Sequence, residues 1–500
     1  RRCRRLRAFR RAGSAGAGRP GLIAVAILTL VPASAVGVNL INAIITRAVP
    51  PRVLPKFDFS EGVPREYRTM VVIPSLLTSE EEVDYLLRQL ELHYLGNVDP
   101  EMGFALLSDF ADAPEKHMPE DAGLLEYAKA GIERLNDKYR EGSVNQDGGR
   151  GDGGSFYLFH RERLWNPSEE RWMGWERKRG KLAEFNRLLR GDEGTSFVLQ
   201  IGNPDFLSGV EYVITLDADT VFPLDSGHEL VGTLAHPLNR AEFGTDTTRR
   251  EGATPGSEQV VAGYTVLQPR TEVEPTAVTQ SRFTRIFAGD AGLDLYTRAV
   301  SDVYQDFFDE GIYIGKGIYD VDGFERSLKG RVPENALLSH DLFEGIHGRA
   351  ALVTDVVLFE DYPPDYLSYA HRRHRWVRGD WQIMPWLFPR VPHAGEGTIP
   401  NCLTTLDRWK ILDNLRRSLR SPALLALLVA GWLVLPGSPL AWTVAAVLSS
   451  GLPVVTGAIT EAARRFQGGA HVGGGPRSGT EAVRRLLSLA FLPYATILMI

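Results

Sequence analysis

Cysteine is almost missing from this chain: among 500 residues there are two, Cys3 and Cys402, far apart and in segments of different character. That excludes a disulfide framework and any cysteine-built zinc site. A strong charge of one sign is missing too. The formal net charge of −6 is small for this length and points to no nucleic-acid partner. No internal repeat is visible. What the chain has instead is an uneven spread of apolar residues, which gather at both ends and leave a middle resembling a soluble α/β protein. Its length exceeds one ordinary compact core and leaves room for a large catalytic domain and more.

Residues 1–20 are basic, with Arg1, Arg2, Arg4, Arg5, Arg7, Arg10 and Arg11. Residues 21–47 contain the uncharged run Leu22 to Thr46, long enough for a bilayer at roughly 20 residues per span. Pro32 and Asn39 interrupt it, so it reads as a transmembrane or an interfacial helix. Pro50, Pro51 and Pro55 then make a stiff linker.

Residues 55–400 read as one domain of alternating strands and helices. Met70–Pro74, Phe104–Asp109, Phe156–Phe159, Ser196–Ile201, Tyr212–Leu216 and Tyr264–Gln268 have the apolar, β-branched character of strands. A helix starts at Thr78-Ser79-Glu80-Glu81-Glu82, and Asp121–Tyr139 and Lys181–Leu189 have helical periodicity. The pattern predicts an open, mostly parallel sheet with helices on both faces. Gly142 to Gly154 reads as a surface loop.

Beyond it, residues 404–421 contain a basic amphipathic segment, Asp407–Arg417, of a kind that lies on a membrane surface. Residues 422–460 predict a transmembrane hairpin, Ala423–Leu435 and Leu440–Ile459, divided at Pro436-Gly437-Ser438-Pro439. Residues 461–484 form a basic loop, and 485–500 open a further span that the chain leaves unfinished. Basic flanks at Arg416–Arg420 and Arg464–Arg465 place the middle domain in the cytoplasm by the positive-inside rule. The same rule puts Arg1–Arg11 outside if Leu22–Thr46 crosses once, so the orientation of that first segment stays open.

The chemistry centres on Tyr212 to Thr220, where a buried-strand pattern ends in Asp217-Ala218-Asp219. In an extended segment these two carboxylates point the same way. Carboxylates that close repel unless a cation sits between them. A hard ion already bound by diphosphate oxygens suits the site, because Mg²⁺ usually takes only one or two protein carboxylates. The same tripeptide also serves as a turn cap.

Four more patterns accompany it. Arg179 to Asn186 offers Gly180 for close backbone approach, and Lys181 and Asn186 for phosphate or nucleotide contacts near a helix start, although a solvated helix face has the same pattern. Asp109, with Asp112, ends a strand where a carboxylate binds a ribose or caps a helix. Asp341 heads an apolar helical run, as an N-cap or as a general base for an acceptor hydroxyl. His371 to Gln382 packs Arg372 and Arg375 among Trp376 and Trp381. Guanidinium forks match a diphosphate and indole faces match sugar rings, while a membrane-proximal basic helix would also have this composition.

In this order, Asp109, Gly180-Lys181, Asp217-Ala218-Asp219, Asp341 and Arg375-Trp376 resemble the processive, membrane-embedded, family-2-like glycosyltransferases, the cellulose and hyaluronan synthases. Gly174–Lys181, Leu234–Asn239, Gly263–Arg270, Gly311–Asp322 and Arg372–Trp381 resemble more closely the cyclic β-1,2-glucan synthases, glycosyltransferase family 84. The likeness runs from about Pro55 to Ile500. It implies a GT-A-type nucleotide-sugar-binding domain with transmembrane helices. The implied reaction is inverting transfer of glucose from UDP-glucose to the 2-hydroxyl of a growing β-1,2-glucan. It further implies Mg²⁺ or Mn²⁺ on Asp217 and Asp219, Asp341 as base, and Asp109 and Lys181 at the uridine and ribose. Arg375 would steady the diphosphate and Trp376 stack on the acceptor sugar, with Arg372 and Trp381 as further substrate-binding residues. The implied setting is the bacterial inner membrane, with the catalytic domain facing the cytoplasm and a phosphorylase-like module elsewhere in the protein. Two positions depart from the broader pattern: Arg372 stands in place of Gln, and His340 precedes Asp341 in place of Glu. Two other readings stand beside this one, a related β-glucan synthase and a non-catalytic membrane scaffold that binds nucleotide sugar or glucan.

Overall fold

A computed structural model describes residues 19–142, 155–244, 258–288, 302–395, 397–449 and 478–499. Arg1–Arg11, the interior of the expected Gly142–Gly154 loop, the latter half of the expected hairpin and most of the 461–484 basic segment lie outside these residues.

The first element is a long helix, α1 (Arg19–Ala48), which carries Pro32 in its interior. The centre is a nine-stranded sheet built from β1 (Thr69–Leu77), β2 (Met102–Phe110), β3 (Phe156–Arg161), β4 (Phe197–Ile201), β5 (Tyr212–Thr215), β6 (Thr220–Val221), β7 (Val266–Val273), β8 (Gly317–Asp320) and β9 (Ala351–Glu360). Their spatial order is β4-β3-β2-β1-β5-β8-β7-β9-β6. Six strands share one direction, while β4, β8 and β6 run against it, so the sheet is mixed.

The central strands are apolar along their whole length because both faces are covered. Alternate residues feed two cores. Val71, Ile73, Phe104, Leu106 and Ile214 face one way, and Met70, Val72, Ala105, Leu107 and Val213 the other. The helices divide accordingly: α2 (Glu80–Gly96), α3 (Asp121–Gly142), α4 (Arg177–Leu189), α5 (Ser226–Ala235) and α6 (Val321–Leu328). Helices α2, α3 and α5 close the first core through Leu86, Leu90, Ile132 and Leu230. Helices α4 and α6 close the second through Leu182, Phe185 and Phe324. Each such fully buried side chain contributes about 1.5–3 kcal/mol of transfer free energy.

Next come α7 (Asp341–His347), α8 (Tyr366–Gln382), α9 (Thr405–Ser418) and α10 (Arg420–Leu433). A third core ties Leu342 and Phe343 of α7 to Ile383, Trp386, Ile411 and Leu415. Helix α9, expected on a membrane surface, therefore packs into the domain through Ile411 and Leu415. It leaves Trp409 and Leu412 exposed. Among the described residues, Val25–Thr46 of α1 is the one stretch long and apolar enough to cross a bilayer. It packs through Val25 and Leu28 against Leu424 and Leu427 of α10. Arg420–Leu433 and Pro439–Ser449 are shorter apolar helices. The run expected to open a further span is broken into Ser478–Ala490 and Leu492–Met499.

Candidate active site

Strand β5 ends at Thr215, and the chain turns at once: the Thr220 amide donates to the Asp217 carbonyl at 3.0 Å. Asp217 and Asp219 thus stand on a tight turn, where an extended segment was expected. The cause lies across the sheet, because Thr220 and Val221 fold back to pair with Glu360 and Phe359 at the end of β9. The buried His93 ring also holds the turn, its Nε2 lying 3.0 Å from the Thr220 carbonyl. Burial lowers the pKa of His93 to about 4, leaving it neutral. The result is an acidic edge at the carboxyl ends of β5 and β9, the side of an open α/β sheet where ligands bind.

Two lysines that sequence reasoning did not single out grip Asp217. Lys178 Nζ lies 2.5 Å from Oδ1 and Lys316 Nζ 3.2 Å from Oδ2. Burial pushes the carboxyl up, but the two ammonium groups outweigh it and hold Asp217 well below the usual carboxylate range. Lys316 is buried and also contacts the Glu360 carboxylate. Asp219 is different. Among the described residues it makes no ion pair, and burial raises its pKa, helped by Asp217 and Glu360 and opposed by Lys316 and Arg372. A half-buried carboxylate short of a counter-charge is the donor chemistry that suits a hard cation. Glu360 and Lys316 escaped the sequence reading because isolated charges resemble surface residues until the fold brings them together, and Lys178 because it stands in the basic run Arg177-Lys178-Arg179.

Asp341 heads α7, and its charge acts on Lys178, one of these two lysines. The link is Gly315-Lys316. Gly315 has φ +87°, and a Cβ there would fall 2.6 Å from Asp341 Oδ1, while its carbonyl accepts from Lys178 at 3.0 Å. The next residue, Lys316, reaches Asp217. One dipeptide therefore joins the Asp217 turn to the Asp341 helix. Behind Asp341, the buried His340 places Nδ1 2.8 Å from the Glu344 carboxylate and 3.6 Å from Asp341 Oδ1.

Helix α8 supplies the arginines and tryptophans. The Arg372 guanidinium lies 4.9 Å from the Trp376 ring centroid and 3.5 Å from Glu360 Oε2, which ties this helix to the acidic edge. Arg375 is exposed. Trp376 and Trp381 are each more than a third exposed, and Trp381 Nε1 donates to Ser418 Oγ at 3.0 Å. The Leu338 amide donates to the Gln382 side chain at 2.7 Å, fixing α8 against the loop that leads to Asp341.

The remaining expected residues lie deeper. Asp109 is buried, with Arg161 on both oxygens at 2.8 Å and Lys181 at 3.0 Å. Lys181 also donates to the Ser75 carbonyl at 2.5 Å, and burial lowers its pKa to about 8. Asn186 is buried between Tyr319 and Glu325. Asp112 pairs with Arg177 at 2.9 Å. Gly180 does allow a close approach, but by protein: a Cβ would fall 2.1 Å from the Trp175 carbonyl oxygen. Asp217, Asp219, Asp341 and Arg372 thus share one set of charges, whereas Asp109, Lys181 and Asn186 belong to the packing beneath it.

The fold and site define an α/β protein with an acidic, lysine-lined sheet edge and an associated apolar helix. Over 430 residues, 85% of its length, the chain is 45% identical to the cyclic beta-(1,2)-glucan synthase NdvB of Rhizobium meliloti (strain 1021). Over this segment the chain is similar to part of that cyclic β-glucan synthase. It spans 14% of that relative's length. No family model matches it.

Proposed function

We propose that this chain carries the glucosyl-transfer step of a membrane-bound β-1,2-glucan synthase, using UDP-glucose as donor and inverting the anomeric centre. The observation that carries the reading is the junction at Gly315-Lys316, which sets the Asp217–Asp219 turn beside Asp341. Such a site needs a place for a diphosphate and, next to it, a base for the incoming hydroxyl. The relationship to NdvB supports the glucan chemistry.

Asp219, with Asp217 as second ligand, would hold Mg²⁺ or Mn²⁺. When bound, that ion supplies charge stabilisation for the departing diphosphate. Asp341 accepts the proton of the acceptor hydroxyl as its oxygen attacks the anomeric carbon from the face opposite the diphosphate. His340, held by Glu344, orients that carboxylate from behind. Arg372 and Arg375 face the diphosphate, and Trp376 offers its exposed ring to an acceptor sugar. In this reading Asp109 acts at the uridine end through the buried Arg161–Lys181 cluster, which sets the shape of that wall. The domain faces the cytoplasm of a bacterial inner membrane, with α1 and the apolar helices near α10 against the bilayer.

The test is incubation of the membrane-extracted chain with radiolabelled UDP-glucose and Mg²⁺, followed by linkage analysis. A β-1,2-linked product is expected. UDP-glucose that binds but is never transferred would contradict the reading.

A further inference from the structure

Two tryptophans face each other on a hairpin that the transfer chemistry leaves unused. Leu164–Asn166 pairs antiparallel with Arg171–Met173, which sets Trp165 directly opposite Trp172. Opposed residues share a face of the hairpin, and here the rings pack with centroids 5.8 Å apart at 62°. The packing does not hide them. Trp165 remains 49% exposed, more than Trp376 or Trp381. An indole left half in water forgoes much of the roughly 150–250 Å² that an aromatic side chain can bury.

The hairpin is rigid and is tied to the rim of the site. Trp172 exchanges backbone hydrogen bonds with Ala113 at 2.9 and 3.0 Å. Asn166 Oδ1 accepts from the Ser168 and Glu169 amides at 2.9 and 3.2 Å, which locks the turn. Its Nδ2 donates to Asn335 Oδ1 at 2.7 Å. Just past the hairpin, Trp175 Nε1 donates to Glu334 at 2.9 Å, and the Glu176 carboxylate accepts from the Asn335 amide. Glu334 and Asn335 belong to the loop that runs on to Asp341. The indole pair therefore flanks the loop that delivers the base, on a different element from the tryptophans of α8.

The surroundings select the ligand. The turn carries Glu169 and Glu170 against Arg171, an acidic excess that disfavours the anionic headgroups of a lipid surface. A neutral, polyhydroxylated chain suits it better. The apolar face of a pyranose ring can rest on an indole, while the Asn166 and Asn335 amides and the Glu169 carboxylate offer partners for hydroxyls. A platform already held in place loses little side-chain freedom on binding.

We propose that the Trp165–Trp172 hairpin is a second carbohydrate-binding platform, which takes a β-linked glucan chain outside the transfer site. The choice of glucan rests on the glucan-synthase reading above. The platform holds the chain between rounds of transfer and leaves its reacting end free to reach Asp341.

The test measures binding of linear β-1,2-gluco-oligosaccharides to the full chain in detergent, for wild type, Trp165→Ala and Trp165→Phe. Trp165→Ala should weaken long oligosaccharides by about tenfold, as loss of an interface tryptophan does, and Trp165→Phe should keep most of the affinity. Melting temperatures should match wild type in both, because the ring lies half in solvent. Unchanged oligosaccharide affinity in Trp165→Ala overturns the proposal. Indole-oxidation footprinting of the wild type reads the contact without a substitution. Oligosaccharide should protect Trp165, and equal oxidation with and without it overturns the proposal. Protection by anionic vesicles in place of oligosaccharide would assign the pair to a lipid surface and overturn it too. Wild-type protein that binds oligosaccharide through Trp165 but never transfers glucose would sink the transfer reading alone. Active protein whose Trp165 stays unprotected would sink this one alone.

Discussion

Gly379 of α8 presses against Ser339 so closely that a Cβ on the glycine would lie 2.2 Å from the Ser339 Cβ. Ser339 is two residues from Asp341, so this contact sets the distance between the arginine and tryptophan helix and the base. Gly379→Ala must push the two apart, because backbone lies within 3.0 Å on the Ser339 side. Overpacking of this kind costs about 1–3 kcal/mol, and a shift near 1 Å at a reacting centre costs as much as 10²-fold in rate. Transfer should fall by about 10- to 100-fold while UDP binding is retained, a pairing read by kinetics together with isothermal titration.

Asp341→Asn keeps the size and N-terminal position of the side chain but removes the basic oxygen. It should bind UDP-glucose as wild type does and transfer glucose roughly 10²–10⁴-fold more slowly. Equal loss of binding and turnover would make Asp341 a structural cap.

Asp219 is the carboxylate without a lysine of its own. Asp219→Ala should abolish the enhancement of UDP binding by Mn²⁺ and leave binding in EDTA unchanged, since Lys178 and Lys316 remain. An intact Mn²⁺ effect would move the cation to other residues.

Asp109 carries the clearest pH signature. Burial raises its pKa, but Lys181 and Arg161 more than offset this and hold it below the usual carboxylate range. The unfolded carboxyl, near about 3.9, therefore protonates first as pH falls. Its contribution to stability is full above about pH 4 and is lost as pH drops through the folded value. Asp109→Asn should cost about 3–5 kcal/mol at neutral pH, because it leaves Arg161 and Lys181 with less counter-charge. The deficit relative to wild type should shrink in melts run below about pH 4. A variant as stable as wild type at neutral pH would show that this buried cluster contributes nothing net to stability.

Much of this was legible in the sequence where the signal is local. The apolar runs of β1, β2, β3 and β5, the capping serine of α2 and the acidic residue at the head of α7 announce themselves within a few positions. What depends on distant pairing did not. Strand β8 is four residues long and slots antiparallel between β5 and β7, so its neighbours choose it more than its composition does. The Asp217–Asp219 segment reads as extended until β9 supplies a partner for Thr220 and forces a turn. Lys316 and Glu360 are 44 residues apart, and nothing in either neighbourhood marks the pair. Asp109 looked like a strand-end ligand because Arg161, its buried partner, comes 52 residues later.

The most direct test of the site is an experimental structure of the chain with UDP and Mn²⁺. Mn²⁺ is expected on Asp219, with the diphosphate beside it and Asp341 facing the vacated sugar position. A nucleotide bound elsewhere, with Asp219 uncoordinated, would contradict this arrangement.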